Sequence, residues 1–312
     1  MLLDFTFLIL GGAAVWLGAE GMVRGAVKLA NYLGVPALLI GLTVVAFGTS
    51  APELVVSVLA AIRGHNQMAL GNVIGSNIIN VGLVLGLSVI FAPIAVSFGV
   101  LKRDIFVVVI WSFVVVFMAW MGTGISRIDG AILLSGFIVH VFLSYKLAVK
   151  EQIRVTTKPD WKRPKLELRY IVFLIGGMVV LAVGAEGMVD GAVGIADAFG
   201  VSKRIIGMTI VAFGTSVPEL AASVVAAKNG EGDLAFGNIV GSNLYNMLMV
   251  LGATSLISPI ACQITWASID FIFFLLFVVI LLPMIRFGWK LGRKDGAILL
   301  GLYLVFNIIL FW

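Results

Sequence analysis

The hexapeptide Gly48-Thr-Ser-Ala-Pro-Glu53 occurs a second time in this chain, as Gly214-Thr-Ser-Val-Pro-Glu219. Each copy lies inside a long apolar run, where a carboxylate is costly to bury and a proline interrupts the hydrogen bonds of a helix. A broken helix at membrane depth is tolerated only where protein or water satisfies the freed backbone groups. Two such breaks at matching positions therefore mark a candidate site near the middle of a membrane.

The composition is that of an integral membrane protein. Of the 312 residues, 61% are hydrophobic and 12% are charged, whereas a soluble domain has about 25% charged residues. The apolar runs suit helices of about 20 residues and not the ~10-residue strands of an outer-membrane barrel. The formal charge of +5 lies in short loops, so it indicates membrane topology and not a nucleic-acid surface. The single cysteine, Cys262, excludes an intrachain disulfide and a cysteine-rich metal site.

The apolar runs predict an all-α integral membrane protein with ten transmembrane helices. The spans are predicted near residues 5–30, 37–62, 68–91, 104–122, 128–147, 170–196, 203–227, 234–257, 267–287 and 295–312. The prolines predict that the second and seventh helices are broken. Because the N-terminus lacks the positive flank of a signal peptide, the first run is predicted to be a retained span.

An offset of 166 residues relates the two halves of the chain. It separates Glu53 from Glu219 and Asn80 from Asn246, and it also pairs Asp129-Gly-Ala-Ile-Leu-Leu134 with the same hexapeptide at 295–300. The sequence therefore predicts a first five-helix repeat at 1–146, a linker at 147–166, and a second five-helix repeat at 167–312. Since five spans are an odd number, the second copy enters the membrane from the opposite side, and the repeats are inverted.

Loop charges predict the orientation. The side that holds the linker also receives Arg24, Lys28, Lys102, Arg103, Lys228, Arg286, Lys290, Arg293 and Lys294, while the other side receives only Arg63, Arg127, Lys203 and Arg204. Basic loops stay in the cytoplasm. We therefore expect a plasma-membrane protein with a cytoplasmic linker and both termini extracellular.

A second repeated motif supplies further polar groups. It reads Gly71-Asn-Val-Ile-Gly-Ser-Asn-Ile-Ile-Asn80 in the first copy and Gly237-Asn-Ile-Val-Gly-Ser-Asn-Leu-Tyr-Asn246 in the second. On a helix, Ser76 and Asn80 share one face, as do Ser242 and Asn246. With the threonine and glutamate of each hexapeptide they form an oxygen-only ligand set, which suits a hard cation such as Ca²⁺. The two histidines, His65 and His140, belong to no cluster that would suit zinc or copper.

The charges of the two glutamates favour cation exchange. Pro52 and Pro218 are expected to free backbone carbonyls one turn earlier for ions. Glu53 and Glu219 carry about two negative charges, which one Ca²⁺ or two to three Na⁺ would neutralise. An empty site would leave two facing carboxylates in a low dielectric, which is unfavourable. The protein with ions bound should therefore switch between its two access states more easily than the empty protein.

These paired motifs make the sequence similar to the cation/Ca²⁺ exchanger superfamily, specifically its prokaryotic sodium/calcium exchangers. The family's two alpha-repeats resemble residues 37–87 and 203–253, and its layout of five plus five spans covers the whole chain. The resemblance implies an electrogenic antiporter that exchanges three Na⁺ for one Ca²⁺ by alternating access. It also implies that the first and sixth spans slide as a pair to switch access.

The resemblance also implies a role for each site residue. Glu53 and Glu219 would be the central Ca²⁺ ligands, with Thr49 and Thr215. The Ala46 carbonyl, Ser50 and Ser242 would serve one Na⁺ site, the Ala212 carbonyl, Ser216 and Ser76 would serve its mirror, and Asn80 and Asn246 would line the middle. The predicted partners are Ca²⁺, Na⁺ and the lipid bilayer, with no cofactor, nucleic acid or obligatory protein partner.

Two departures bear on the coupling ion. Some relatives, including the potassium-dependent branch, carry Asp where this chain has Asn246, which argues against a potassium requirement. The proton-coupled branch has a Gly-Asn-x-x-Glu core in place of Gly-Thr-Ser-x-Pro-Glu, which disfavours Ca²⁺/H⁺ antiport but leaves it as the first alternative. A cation channel is the second, although channels are usually built from several subunits. An enzyme is not expected, because no HExxH motif or nucleophile–histidine arrangement is present.

One more duplicated pair of acids remains open. Glu20 and Glu186 are separated by the same offset, and Glu20 has Arg24 one helical turn later. An ion pair explains the first glutamate. The second has Asp190 at that position, so the explanation fails there, and a role in gating or ion access is the alternative.

Overall fold

The chain is helical, and its helices follow the apolar runs. The computed structural model describes residues 2–95, 104–121, 124–156, 167–200, 212–262, 269–286 and 290–311. The helices are α1 (Leu2–Leu33), α2 (Ala37–Ile40), α3 (Ala46–Thr49), α4 (Ala51–Ile62), α5 (Asn66–Ile79), α6 (Gly86–Phe91), α7 (Phe106–Met121), α8 (Arg127–Thr156), α9 (Leu168–Ala198), α10 (Ala212–Gly214), α11 (Val217–Lys228), α12 (Gly232–Leu244), α13 (Leu251–Ile257), α14 (Ile269–Arg286) and α15 (Arg293–Phe311).

Three π-helical segments join some of these helices into longer rods. They are π1 (Gly41–Val45), π2 (Asn80–Leu85) and π3 (Tyr245–Val250). The last two lie at corresponding places in the two copies, between α5 and α6 and between α12 and α13. Segments of π-helix are rare and often lie at functional sites. Hydrophobic periodicity does not predict them.

The lengths and composition of the helices make this a membrane protein. Within the described residues, five helical rods are long and apolar enough to cross a membrane, and a sixth is added when the bent pair around Ser50 is counted as one span. Two shorter apolar helices, α7 and α14, lie at the predicted fourth and ninth spans. The beginning of the predicted seventh span lies outside the described residues.

The helix α8 is longer than the predicted fifth span. It continues to Thr156, so the first ten residues of the predicted linker are helical. The extension reads Leu-Ala-Val-Lys-Glu-Gln-Ile-Arg-Val-Thr. Most of these residues are good helix formers, and the prolines that end the pattern come later. Residues 157–166 of the linker lie outside the described chain.

The rods α5–π2–α6 and α12–π3–α13 form the centre of the molecule, where most of their residues are buried. The broken helices pack beside them, α4 against α5 and α11 against α12. The long helices α1 and α9 lie against each other at the outside, with most of their surface exposed. The candidate ligands are therefore carried by the most enclosed helices of the fold.

Two small antiparallel sheets, which were not predicted, tie the copies together. Strand β1 (Ile94–Ala95) pairs with β4 (Lys290–Leu291), and β2 (Gly124–Ile125) pairs with β3 (Ile260–Ala261). The offset of 166 residues converts one pairing into the other, so each copy contributes one strand to each sheet. Two-residue strands have no room for the alternating pattern that identifies a strand in a sequence.

A seam of glycines joins α1 to α9. The two helices run antiparallel, and glycines recur every seventh residue on each, at Gly11, Gly18 and Gly25 and at Gly177, Gly184 and Gly191. A Cβ on Gly18 would collide with the backbone nitrogen of Leu181, and one on Gly177 would collide with that of Met22. The absence of side chains therefore lets the two backbones touch along the whole seam.

Candidate ion-binding site

Both repeated hexapeptides break a helix just before their glutamate. The chain bends by 45° between residues 37–49 and 51–62, with Ser50 at φ −88° and ψ 6°. Pro52 and Pro218 lie in the first turns of α4 and α11, where the missing N–H is not needed. Each glutamate thus sits in the first turn of a helix, whose positive end stabilises a carboxylate.

The two carboxylates face each other in the interior. Glu53 and Glu219 are both fully buried, and Glu53 lies beside Glu219, Thr215 and Ser216. One oxygen of Glu219, Oε1, accepts hydrogen bonds from Ser50 Oγ at 2.9 Å and from Ser242 Oγ at 3.4 Å. Both oxygens of Glu53 and the Oε2 atom of Glu219 have no hydrogen-bond partner in the described chain. Such a pair is costly to bury unless a cation or a proton neutralises it.

A group of hydroxyls brings the first predicted Na⁺ set together. Thr49 Oγ1 lies 3.4 Å from the Ala46 carbonyl, 3.4 Å from Ser242 Oγ and 3.2 Å from Asn238 Oδ1. Ser50 joins the group through Glu219. The Ala46 carbonyl was expected to be free, but it accepts the Ser50 N–H at 3.0 Å. A carbonyl has two lone pairs, and the Thr49 hydroxyl at 3.4 Å also contacts this oxygen, so an ion would compete with that longer contact.

The mirror set is less tightly joined. Ser216 is buried beside Glu53, and its hydroxyl has no partner in the described chain. Ser76 is also buried, on α5, but no hydrogen bond of the described residues connects it to Ser216. Ala212 begins the three-residue helix α10. The two halves of the site therefore differ in detail even though their sequences match.

The middle asparagines lie at the start of the two π-helical segments. Asn80 is the first residue of π2 and Asn246 the second residue of π3, and both are buried. Asn80 Nδ2 donates to Asn243 Oδ1 at 3.2 Å, whereas neither amide atom of Asn246 has a partner among the described residues. Unpaired buried amides are costly unless a ligand binds them.

Two positioning residues, Asn72 and Asn238, were not predicted from the sequence. Asn72 Nδ2 donates to the Glu53 carbonyl at 3.3 Å and to Ser57 Oγ at 2.9 Å. Asn238 Nδ2 makes the equivalent bonds, at 3.5 Å to the Glu219 carbonyl and 3.0 Å to the hydroxyl of Ser223. These bonds hold the glutamate-bearing helices against α5 and α12. The signal was available, because these asparagines and serines also obey the 166-residue offset.

The donor set suits hard cations. Among the described residues, no three His, Cys, Asp or Glu side chains come together as a conventional metal cluster. The groups that do converge are carboxylate, hydroxyl, amide and carbonyl oxygens. Ca²⁺ prefers such oxygen ligands, whereas softer metals prefer nitrogen and sulfur. Because each copy supplies one carboxylate, both halves contribute to the site.

Comparison with known proteins identifies the family. A family model described as sodium/calcium exchanger protein matches residues 3–146 and 169–312, which is nearly the whole chain. The chain belongs to the sodium/calcium exchanger family. This exchanger is 30% identical to the sodium/calcium exchanger MaX1 of Methanosarcina acetivorans, with 99% of both chains covered. It is 34% identical to the inner membrane protein YrbG of Escherichia coli, with 100% of this chain and 98% of YrbG covered.

Solved structures agree with the sequence comparison. The exchanger superimposes on the sodium-calcium exchanger NCX_Mj, soaked without Na⁺ and Ca²⁺, with a TM-score of 0.86, 33% identity and 99% of both chains covered. The predicted family is thus confirmed, and the protein is a membrane-bound cation/Ca²⁺ exchanger, not an enzyme. Its ions are transported substrates, and no cofactor is indicated by the family.

Proposed function

We propose that this exchanger moves Ca²⁺ in one direction and Na⁺ in the other by alternating access. The observation that carries the proposal is the buried pair Glu53 and Glu219, of which three carboxylate oxygens lack a hydrogen-bond partner in the described chain. Two unneutralised carboxylates in a low dielectric disfavour any movement of the empty site. If the site switches its access from one side of the membrane to the other only when an ion is bound, the flux of one ion is coupled to the flux of the other.

The ligands divide into four overlapping sites. Glu53 and Glu219, with Thr49 and Thr215, bind Ca²⁺. The Ala46 carbonyl, Ser50 and Ser242 bind one Na⁺, the Ala212 carbonyl, Ser216 and Ser76 bind another, and Asn80 and Asn246 line the middle. The cluster of oxygen atoms around Thr49 and the unpaired amide of Asn246 support this division. Three Na⁺ exchanged for one Ca²⁺ would carry one net charge per cycle.

The proposed topology has ten spans in two inverted repeats, residues 1–146 and 167–312. The interchange of the two strand pairings under the 166-residue offset supports a two-fold relation between the copies. We place the exchanger in the plasma membrane, with both termini outside and the linker 147–166 in the cytoplasm, because the basic loops concentrate on the linker side.

The test is Ca²⁺ uptake into proteoliposomes loaded with Na⁺, compared with vesicles that carry only a pH gradient. We expect uptake that requires the outward Na⁺ gradient, saturates with Ca²⁺, and accelerates when the interior is made positive. Uptake driven only by the pH gradient would instead assign the protein to Ca²⁺/H⁺ antiport. Flux that does not saturate and needs no counter-ion would indicate a channel.

The same vesicles test the central ligands. Glu53→Gln and Glu219→Gln each remove one of the two charges that balance Ca²⁺, so uptake should fall to nearly the level of empty liposomes. Glu167→Gln is the matched control, since this glutamate is exposed and its ion pair among the described residues is with Arg169 at the start of α9. Normal uptake by both site variants would contradict the assignment of the carboxylates.

A further inference from the structure

The two copies are not packed alike, although their sequences match. Helix α1 packs along α11, whereas α9 and α4, the pair related to them by the 166-residue offset, are not closely packed. The difference is visible on the exposed faces. Val217 and Val225 on α11 are 3% and 0% exposed, while Leu59, the counterpart of Val225, is 45% exposed. One half of the molecule is therefore closed where the other is open.

Polar contacts fasten the closed half. Asn229, next to the end of α11, donates through Nδ2 to Glu20 Oε2 on α1 at 3.2 Å. The ammonium of Lys228 lies 4.9 Å from the ring of Trp16 on α1 and 4.7 Å from that of Phe91 on α6. A cation over two aromatic rings is attracted to both. The end of α11 is thus held to α1 by a hydrogen bond and a cation–π contact.

The open half contains the matching residues apart from one another. The offset converts Glu20 into Glu186 on α9 and Asn229 into Arg63 after α4. Both side chains are exposed, and the described chain has no ion pair or hydrogen bond between them. The acid and base that would close this half are present but separated.

The charges of the two halves are arranged in complementary ways. Glu20 is neutralised within its own helix by Arg24, at 2.8 Å, so its partner across the gap can be the neutral Asn229. Glu186 has Asp190 where the first copy has Arg24, and its counterpart across the gap is the cationic Arg63. Each glutamate is therefore provided with one arginine, in the same helix for the first copy and in the opposite helix for the second.

We propose that Glu186 and Arg63 form the latch of the second access state, in which α9 packs on α4 as α1 packs on α11 here. In that state the contact between Glu20 and Asn229 opens. The uncovered face of α4, including Val55 and Leu59, is the surface that α9 then covers. This inference rests on the alternating access proposed above, and it explains why both glutamates are duplicated although neither lies in the ion site.

A disulfide tests the approach of the two helices, because it forms only when the Cα atoms come within about 7 Å. In a Cys262→Ser background, Arg63→Cys/Glu186→Cys should cross-link under oxidation during exchange, stop Ca²⁺ uptake, and recover on reduction. Arg63→Cys/Asp190→Cys, one turn further along α9, is the matched control and should cross-link poorly. Failure of the first pair to cross-link, while the reduced protein still exchanges Na⁺ for Ca²⁺, would overturn the latch and leave the proposed function intact.

A charge swap tests the interaction itself. Arg63→Glu alone should slow exchange roughly two- to fivefold, the effect of losing one exposed ion pair on the balance of two states. Arg63→Glu/Glu186→Arg should restore the rate, whereas Arg63→Glu/Asp190→Arg should not. If the swap fails to restore the rate, the two residues do not pair. Absence of Na⁺-dependent uptake in the unsubstituted protein would instead contradict the proposed function.

Discussion

Asn80 and Asn246 occupy equivalent positions in the repeats but have different surroundings. The Nδ2 atom of Asn80 donates to Asn243, while neither amide atom of Asn246 has a partner among the described residues; the Oδ1 atom of Asn80 also has none. Hard cations bind the amide oxygen, and this atom is available on both side chains. Both asparagines can therefore supply an oxygen to the proposed middle site, and Asn246 is the less constrained of the two.

Asn246→Asp should change the cation profile of exchange. It adds a third negative charge to the two glutamates, so the Ca²⁺ concentration for half-maximal uptake should fall by about tenfold. A tenfold change corresponds to about 1.4 kcal/mol. That energy is a modest part of the ~4 kcal/mol of interaction between two charges 4 Å apart at an effective dielectric of 20. The measurement is uptake against Ca²⁺ concentration, with competition by Na⁺, K⁺ and Sr²⁺.

Asn307→Asp is the control for that substitution. Asn307 lies on α15 and bonds to the carbonyl of Tyr303 at 2.8 Å, outside the proposed ion site. Its replacement should leave the profile unchanged. An unchanged profile in Asn246→Asp would remove this residue from the proposed site.

At this scale, the repeat pointed to two acidic residues that the structure brings together, but it gave no sign of the amide contacts. Glu53 and Glu219 could be singled out because an acid beside a proline in an apolar run is rare, and the structure places them together. Asn72 and Asn238 were missed because reasoning from helical spacing finds neighbours on one helix, whereas their bonds run between helices. The assignment of ligands to individual ions stays a prediction.

Among the elements, α1 and α9 have the clearest physical relation. Their glycines recur at seven-residue intervals, and each brings one backbone against the other. A shift of one helix past the other would break these close backbone contacts, so the two helices are expected to move as one body. This agrees with the expectation that the first and sixth spans slide together.

Gly177→Ala should damage the exchanger, while its neighbour Gly176→Ala should not. Alanine at position 177 would collide with the backbone of Met22, and overpacking of this kind costs typically ~1–3 kcal/mol. A Cβ at position 176 meets nothing within 4 Å, so that helix gains up to ~1 kcal/mol from alanine. The measurement is thermal stability in detergent together with Ca²⁺ uptake. Equal behaviour of the two variants would show that the seam does not need its glycines.

The elements themselves were partly predictable. The apolar runs located the long helices to within a few residues at most ends, and the prolines located both breaks. The π-helical segments were not predicted, because a shift of one residue in the hydrogen-bonding pattern leaves no mark on hydrophobic periodicity. The strands were not predicted because pairing with the other copy, and not local sequence, makes them extended.

For the whole molecule, the positions of Arg127 and Arg293 illustrate how the copies interlock. Arg127 Nη2 donates to the Ile257 carbonyl at 3.5 Å, and Arg293 Nε donates to the Ile90 carbonyl at 3.2 Å. The offset of 166 residues relates the two arginines exactly and the two acceptor carbonyls to within one residue. The internal repeat was predicted from the sequence, but the difference between the open and closed halves was not, because two equivalent sequences give no reason to favour either state.

The proposed orientation can be tested with a thiol reagent that does not cross membranes. In a Cys262→Ser background, Lys158→Cys in the linker should be labelled only after the cells are opened, because basic loops stay inside. Arg63→Cys should be labelled on intact cells, since it lies on the opposite side in the proposed topology. Labelling of Lys158→Cys on intact cells would reverse the orientation.

The strand pairings also have a consequence for biosynthesis. Ile94 pairs with Leu291, so the first copy cannot complete its own end until the ribosome has made nearly all of the second. Contacts between residues so distant in the chain form late in folding. Until then, the first half is in the membrane with one strand unpaired. We expect quality-control proteases to recognise such a half, so a truncated chain should be degraded and should not persist as a stable half-exchanger.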